Sequence, residues 1–151
     1  MTQTDRIEKK ILLRAPRSRV FAALSDAEEF GKWFRVKLAG PFAEGATVRG
    51  RITYPGYEHL TMEMVVERLE PERRFAYSWH PYAVDPQVDY SAEPMTHVEF
   101  TLHEAEGGTL LTIVESGFDK LPPGRRAEAF RMNDHGWTEQ AANLERHVST
   151  E

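Results

Sequence analysis

The stretch LPPGRRAEAFRMNDHGWTEQAANLERHV, residues 121–148, decides how the rest of the chain is read. After Pro122 and Pro123 it contains no further proline, and Phe130, Asn133, Trp137, Ala141, Leu144 and Val148 recur at spacings of three and four. That recurrence draws one face of a long helix opened by the prolines. The face is apolar except for Asn133, and an amide buried without a partner costs about 1–3 kcal/mol. Whatever surface the helix covers must therefore offer Asn133 a polar group. A second reading breaks the helix at Asn133-Asp134-His135-Gly136, with Asn133 capping a fresh helix and bonding to its own backbone.

Upstream, Ile7, Ile11 and Leu13 share one parity with Lys9 between them, which predicts a half-buried strand over residues 6–14. Ala15-Pro16 stops it, and Pro16 suits the first turn of a helix carrying Val20, Phe21 and Leu24 on one side. Ser25-Asp26-Ala27-Glu28 has the capping-box spacing and predicts a second short helix that ends near Gly31. From Trp33 to Gln87 the period falls to two, with Val36 and Leu38, Val48 and Ile52, then Met62 and Met64 alternating with polar residues as in strands. Gly40-Pro41, Glu44-Gly45, Tyr54-Pro55-Gly56 and Glu70-Pro71-Glu72 supply the turns. Phe75, Tyr77 and Trp79 form the next same-face set, whose bulk suits a wide interior.

Residues 81–95 hold three prolines and no period, which predicts a functional loop at the mouth of whatever the sheet encloses. Strands resume with Val98, Phe100 and Leu102 and, after the Glu106-Gly107-Gly108 turn, with Leu111 and Ile113. One more step of that last parity reaches Glu115, whose carboxylate therefore points with the apolar residues, toward the same space as Asn133. The order strand, two helices, run of antiparallel strands and long C-terminal helix predicts an α+β architecture whose sheet curves around the last helix. No repeat or linker divides it, so one domain over residues 1–151 is expected, with its core at about 6–148.

A hydrophobic fraction of 40% with 28% charged residues is that of an ordinary globular chain. The net charge of −5 argues against a nucleic-acid partner, which needs a basic face. Without cysteine there is no thiolate nucleophile, disulfide framework or cysteine-based zinc site. No apolar run approaches the about 20 residues of a membrane span and the first residues form no signal core, so a cytoplasmic protein without a membrane partner is expected.

Ile11-Leu12-Leu13-Arg14-Ala15-Pro16, then Val20-Phe21 and Phe30-x-x-Trp33, resemble the START-like, or SRPBCC, superfamily with its helix-grip fold. Glu70-Pro71 before Tyr77-x-Trp79, Gly108-Thr109-x-Leu111-Thr112, Glu115-Ser116-Gly117-Phe118 and Gly136-Trp137 resemble its branch of activator of heat-shock-protein-90 ATPase homologues. The resemblance covers nearly all of residues 6–148. It implies a curved antiparallel sheet gripping the C-terminal helix, with two short helices after the first strand and a hydrophobic cavity inside. It also implies a small hydrophobic molecule as partner and no cofactor. Polyketide cyclase or hydrolase chemistry, a chaperone-interaction role and a homodimer stand as alternatives or additions to that reading.

Within this frame Glu115 and Asn133 either orient a polar group of a ligand or bond to each other and tie helix to sheet, the latter being the usual fate of buried polar groups. Burial would raise the pKa of Glu115 and make it the candidate acid or base, assisted by Asn133, Tyr77 or His80. Trp33, Phe34, Phe42, Met62, Met64, Tyr77, Trp79, Phe100, Phe118, Phe130 and Trp137 are the candidate cavity lining, or simply the core. His80 joins them as the residue at the strand end beside the long loop. His59, His80, His97, His103, His135 and His147 show no zinc spacing, so no metal is expected. Ser116 lacks a nucleophile-elbow frame, and Arg125, Arg126 and Arg131 read as a solvated basic face.

Overall fold

In the computed structural model, which describes residues 6–80 and 90–149, ten elements follow one another. Strand β1 (Arg6–Leu13) leads into helices α1 (Arg17–Ser25) and α2 (Ala27–Phe34). Strands β2 (Val36–Leu38), β3 (Thr47–Ile52), β4 (Thr61–Glu70), β5 (Arg74–Trp79), β6 (Thr96–Ala105) and β7 (Gly108–Ser116) precede helix α3 (Pro123–Ser149). Of the loop expected over 81–95, residues 81–89 lie outside the described ones; Tyr90–Ala92 form a short 3-10 turn.

The strands make one curved seven-stranded sheet in the order β1-β7-β6-β5-β4-β3-β2, every neighbouring pair antiparallel. Alternation puts Val98, Phe100 and Leu102 of β6 and Leu111, Ile113 and Glu115 of β7 on the buried face, as the period of two requires. A register shift between Val66 and Arg68 bends β4. Helix α3 covers the concave face with Ala129, Trp137, Ala141, Leu144 and Val148 and packs against β1, α1 and α2.

Rings fill the space between α2 and the middle of the sheet. Phe30 lies 4.8 Å from Trp33, 5.6 Å from Phe42 and 6.3 Å from both Phe75 and Tyr77 between ring centroids. Phe75 stacks on Phe100 at 6.0 Å. The interior expected to be wide is therefore occupied here by aromatic side chains packed edge to face, the arrangement that ring quadrupoles favour.

Two local readings change, and one that stood open is decided. Asp26, not Ser25, caps α2, accepting from the Glu28 and Glu29 amides at 2.9 and 3.3 Å, while the Ser25 hydroxyl donates to the Phe21 carbonyl. Helix α2 does not end near Gly31 but runs on to Phe34, so Trp33 and Phe34 are helical, and it stops because Arg35 adopts a left-handed conformation with φ 72°. Helix α3 is continuous through Asn133–Gly136, which leaves the Asn133 side chain available to another element.

Gly31 has a different task. A Cβ there would stand 2.2 Å from the Val36 carbonyl oxygen, so the glycine lets the chain turn back on α2 into β2. At Gly136, in the middle of α3, an added Cβ meets nothing within 4 Å. Gly31→Ala is expected to lower stability by about 1–3 kcal/mol through that overlap. Gly136→Ala should raise it by about 0.5–1 kcal/mol through helix propensity. Urea denaturation of the two variants distinguishes them, and equal effects would contradict the stated role of Gly31.

Candidate functional site

The sheet brings a carboxylate under the helix. Glu115 is fully buried at the end of β7, and the register aligns it with Val98 of β6 and Tyr77 of β5 in one row across the sheet. Asn133 of α3 donates to its Oε1 and Oε2 at 3.0 and 3.2 Å. Trp137 Nε1 donates to Oε1 at 2.8 Å, while Trp79 Nε1 and Thr96 Oγ1 donate to Oε2 at 2.8 and 2.6 Å. One carboxylate thus joins β5, β6, β7 and α3.

Burial pushes the Glu115 pKa up, and the hydrogen bonds from Thr96, Trp137, Trp79 and Asn133 pull it back down; burial prevails. None of the ion pairs among the described residues includes Glu115. An indole N–H can only donate. Since one indole faces each carboxylate oxygen, the donor set is built for the ionised form. The neighbouring Tyr77 hydroxyl is buried with no hydrogen-bond partner among the described residues. Its pKa is raised by burial and by the charge of Glu115.

In front of the carboxylate lies a groove of about 370 Å³. Phe34 closes one end of α2 against it, Trp79 and Trp137 form its inner wall, and α3 lines one side with Met132, Asn133, Gly136 and Gln140 together with His135, Glu139 and Asn143. Ile52, Tyr54, Tyr57 and Leu60 line the other from the β3–β4 connection. Phe34, Trp79 and Trp137 are mutually 5.8–6.1 Å apart between ring centroids. Because both indole N–H groups are spent on Glu115, what these rings offer the groove is apolar surface.

Of the residues singled out from the sequence, Phe34, Trp79, Asn133 and Trp137 meet at this groove. Trp33, Phe42, Met62, Met64, Tyr77, Phe100 and Phe118 are buried in the core, and Trp33 Nε1 donates to the Ala23 carbonyl at 2.8 Å. Phe130 is half-buried against Phe118, 5.2 Å between ring centroids. His80 donates through Nε2 to the Glu93 carbonyl at 3.1 Å. Arg125 does not belong to a solvated face: it pairs with Glu93 at 2.9 Å and lies over the Tyr90 ring. Sequence reasoning missed Thr96, which faces Trp79 across β5 and β6, and the exposed pair Tyr54 and Tyr57, whose placement at a Pro-Gly turn was the available signal. Among the described residues no three histidine, aspartate or glutamate side chains converge as a metal site.

An antiparallel sheet that grips a long C-terminal helix, with two short helices after the first strand, is the START-like helix-grip fold. Within that class, residues 14–149 match the sequence profile described as Activator of Hsp90 ATPase homolog 1-like protein, and the chain belongs to this family. No curated protein matches its sequence. Solved structures share the fold. Protein MLL2253 from Mesorhizobium loti is 21% identical with a TM-score of 0.76, over 97% of this chain and 98% of its own. The Aha1 dimer from Colwellia psychrerythraea is 16% identical with a TM-score of 0.73, over 96% of each chain. DynU16, from the dynemicin biosynthetic locus, is 23% identical with a TM-score of 0.75, over 98% of this chain, which spans only 48% of DynU16.

Glu115→Gln keeps the shape of the anchor but turns one accepting oxygen into a donor facing an indole N–H. A loss of about 1–3 kcal/mol is expected in urea unfolding at neutral pH. In the parent, the raised pKa means that the folded chain holds this proton more tightly than the unfolded one. Glu115 therefore makes stability fall as pH rises from the ordinary carboxylate range through the raised value, and the Gln variant lacks that component. A variant as stable as the parent at neutral pH would show that Glu115 sits protonated among its donors instead.

Proposed function

We propose that the protein binds a small, largely apolar molecule in the groove between the sheet and α3. The observation that carries this reading is the aromatic wall of Phe34, Trp79 and Trp137, whose two indoles are held with their polar edges turned to Glu115. Flat apolar surface with few polar groups is what small-molecule sites offer. Tyr54 and Tyr57, 45% and 47% exposed, extend that surface outward. In this reading Glu115 is a positioning residue, Asn133 is the polar group nearest the ligand, and the remaining core aromatics support the wall without touching what binds.

The cyclase- or hydrolase-type alternative, with Glu115 as acid or base, has less support because each of its oxygens already accepts at least two hydrogen bonds. A chaperone-interaction role draws only on the family description, with no surface feature among the described residues behind it. The dimer solved for the Colwellia relative makes a homodimer the assembly to test first, by sedimentation. We carry the absence of a cofactor and a cytoplasmic location as parts of the same proposal; among the described residues no helix is long and apolar enough to cross a membrane.

Native mass spectrometry of the purified protein, followed by thermal-shift screening of aromatic and aliphatic compounds, tests the reading. A ligand at a hundredfold excess over its Kd adds about 2.7 kcal/mol. For a chain of this size that is a rise in Tm of roughly 5–10 °C. Gly136→Leu places a side chain in the groove from a helix position with open space around it, and should abolish the shift without unfolding the protein. An undiminished shift in that variant would move binding elsewhere.

A further inference from the structure

Beside the apolar groove is a second depression of about 390 Å³ whose chemistry is the opposite. Its lining includes Arg19, Lys32, Arg35, Arg146 and His147 and no carboxylate, on a chain whose net charge is −5. The two spaces adjoin. Asn143 lines both, and the consecutive residues Trp33, Phe34 and Arg35 pass from the basic side to the apolar side and back. A relay of side chains forms the divide: Arg146 donates to Asn143, Asn143 to Gln140 at 3.1 Å, and Gln140 to the Phe34 carbonyl at 3.1 Å.

The basic groups differ in their commitments. Arg19 and His147 both reach Glu29, at 2.6 and 2.9 Å, and that triad ties α1, α2 and α3 together. Lys32 and Arg35 enter no ion pair among the described residues. Arg35 is also out of place by backbone criteria. It occupies the left-handed C-cap of α2 at φ 72°, where glycine or asparagine is the residue of least strain, and its carbonyl accepts from Thr53 at 2.9 Å. From there its guanidinium lies 5.6 Å over the ring of Tyr54, a residue of the groove wall. A strained backbone position filled by a long cation at the edge of a cavity points to a use for the side chain rather than for the turn.

We propose that groove and basic pocket form one bipartite site for an amphipathic organic anion, whose apolar body lies on Phe34, Trp79 and Trp137 and whose anionic head meets Lys32 and Arg35. This rests on the groove reading above and adds the charge of the ligand to it. Two exposed cations do not supply much affinity singly, but they select an anion over its neutral analogue, and salt weakens that selection.

Anilinonaphthalene sulfonate and phenylnaphthylamine share one aromatic body and differ in the sulfonate, so they separate the two claims. The protein is expected to bind the sulfonate more tightly than the neutral dye in fluorescence titrations at low salt, with the difference shrinking as salt is added. Arg35→Gly should reduce sulfonate affinity about two- to fivefold and leave phenylnaphthylamine unchanged. Its Tm should stay level or rise by up to about 4 °C as the strained position is relieved. Lys32→Gln should show the same selectivity change without the thermal one. Equal affinity of the parent for both dyes, or equal loss of both in Arg35→Gly, would overturn the bipartite site while leaving the groove. Failure of both dyes to bind would remove the groove reading as well.

Discussion

A carboxylate taken out of water without a cation beside it is the costliest group in this protein, and the architecture around Glu115 is what makes it tolerable. Two indoles, an amide and a hydroxyl converge on it from β5, β6 and α3, so sheet and helix cannot separate without stripping the charge of its donors. The interaction is directional where the surrounding aromatic packing is not. Hydrophobic burial would allow α3 to slide or rotate over the sheet at modest cost, whereas Asn133 and Trp137, a turn apart, fix its register against one pair of oxygens.

The same constraint shapes the groove. A tryptophan is amphipathic, and the direction of its N–H decides which of its edges is left for others. Fastening Trp79 and Trp137 to one buried acid turns both polar edges inward and leaves hydrocarbon surface facing Phe34 and the tyrosines of the β3–β4 connection. The anchor thereby sets the chemistry of the space in front of it without reaching into that space. Behind it, in the same row, the Tyr77 hydroxyl is buried without a hydrogen-bond partner among the described residues.

What could be read from the chain and what could not divide along a physical line. The pairing of Glu115 with Asn133 was legible because each follows from a one-dimensional rule, the period of a strand for one and of a helix for the other. The antiparallel sheet and the grip of α3 were legible through the family resemblance and the turn residues. The roles of Trp79, Trp137 and Thr96 as donors were not, since side-chain periodicity gives a face and says nothing of where an indole N–H points. The end of α2 was misplaced because Gly31 looks like a stop signal while serving close packing, and the stop itself sits on Arg35, a residue with no propensity to announce it. The basic pocket was invisible because its cations come from the consecutive helices α1 and α2 and from the distant α3, and only the fold brings these together.

The strand order has a consequence for how the protein forms. Six of the strands, β2 to β7, pair with neighbours adjacent in sequence and can assemble one on the next as the chain lengthens. Strand β1 cannot: its partner is β7, about two-thirds of the chain away, with Arg6 opposite Ser116 and Leu13 opposite Thr109. Closing a loop of that size brings most of its entropic cost before any reward in contacts. On a ribosome, β1 therefore emerges ahead of its partner and waits as an unpaired strand, with Ile7 among charged neighbours and Ile11, Leu12 and Leu13 in a row, until β7 has been made. The lysines and the arginine of that strand, of which Lys9 pairs with Asp134 of α3 in the finished fold, are suited to keeping it from pairing with other chains during the wait.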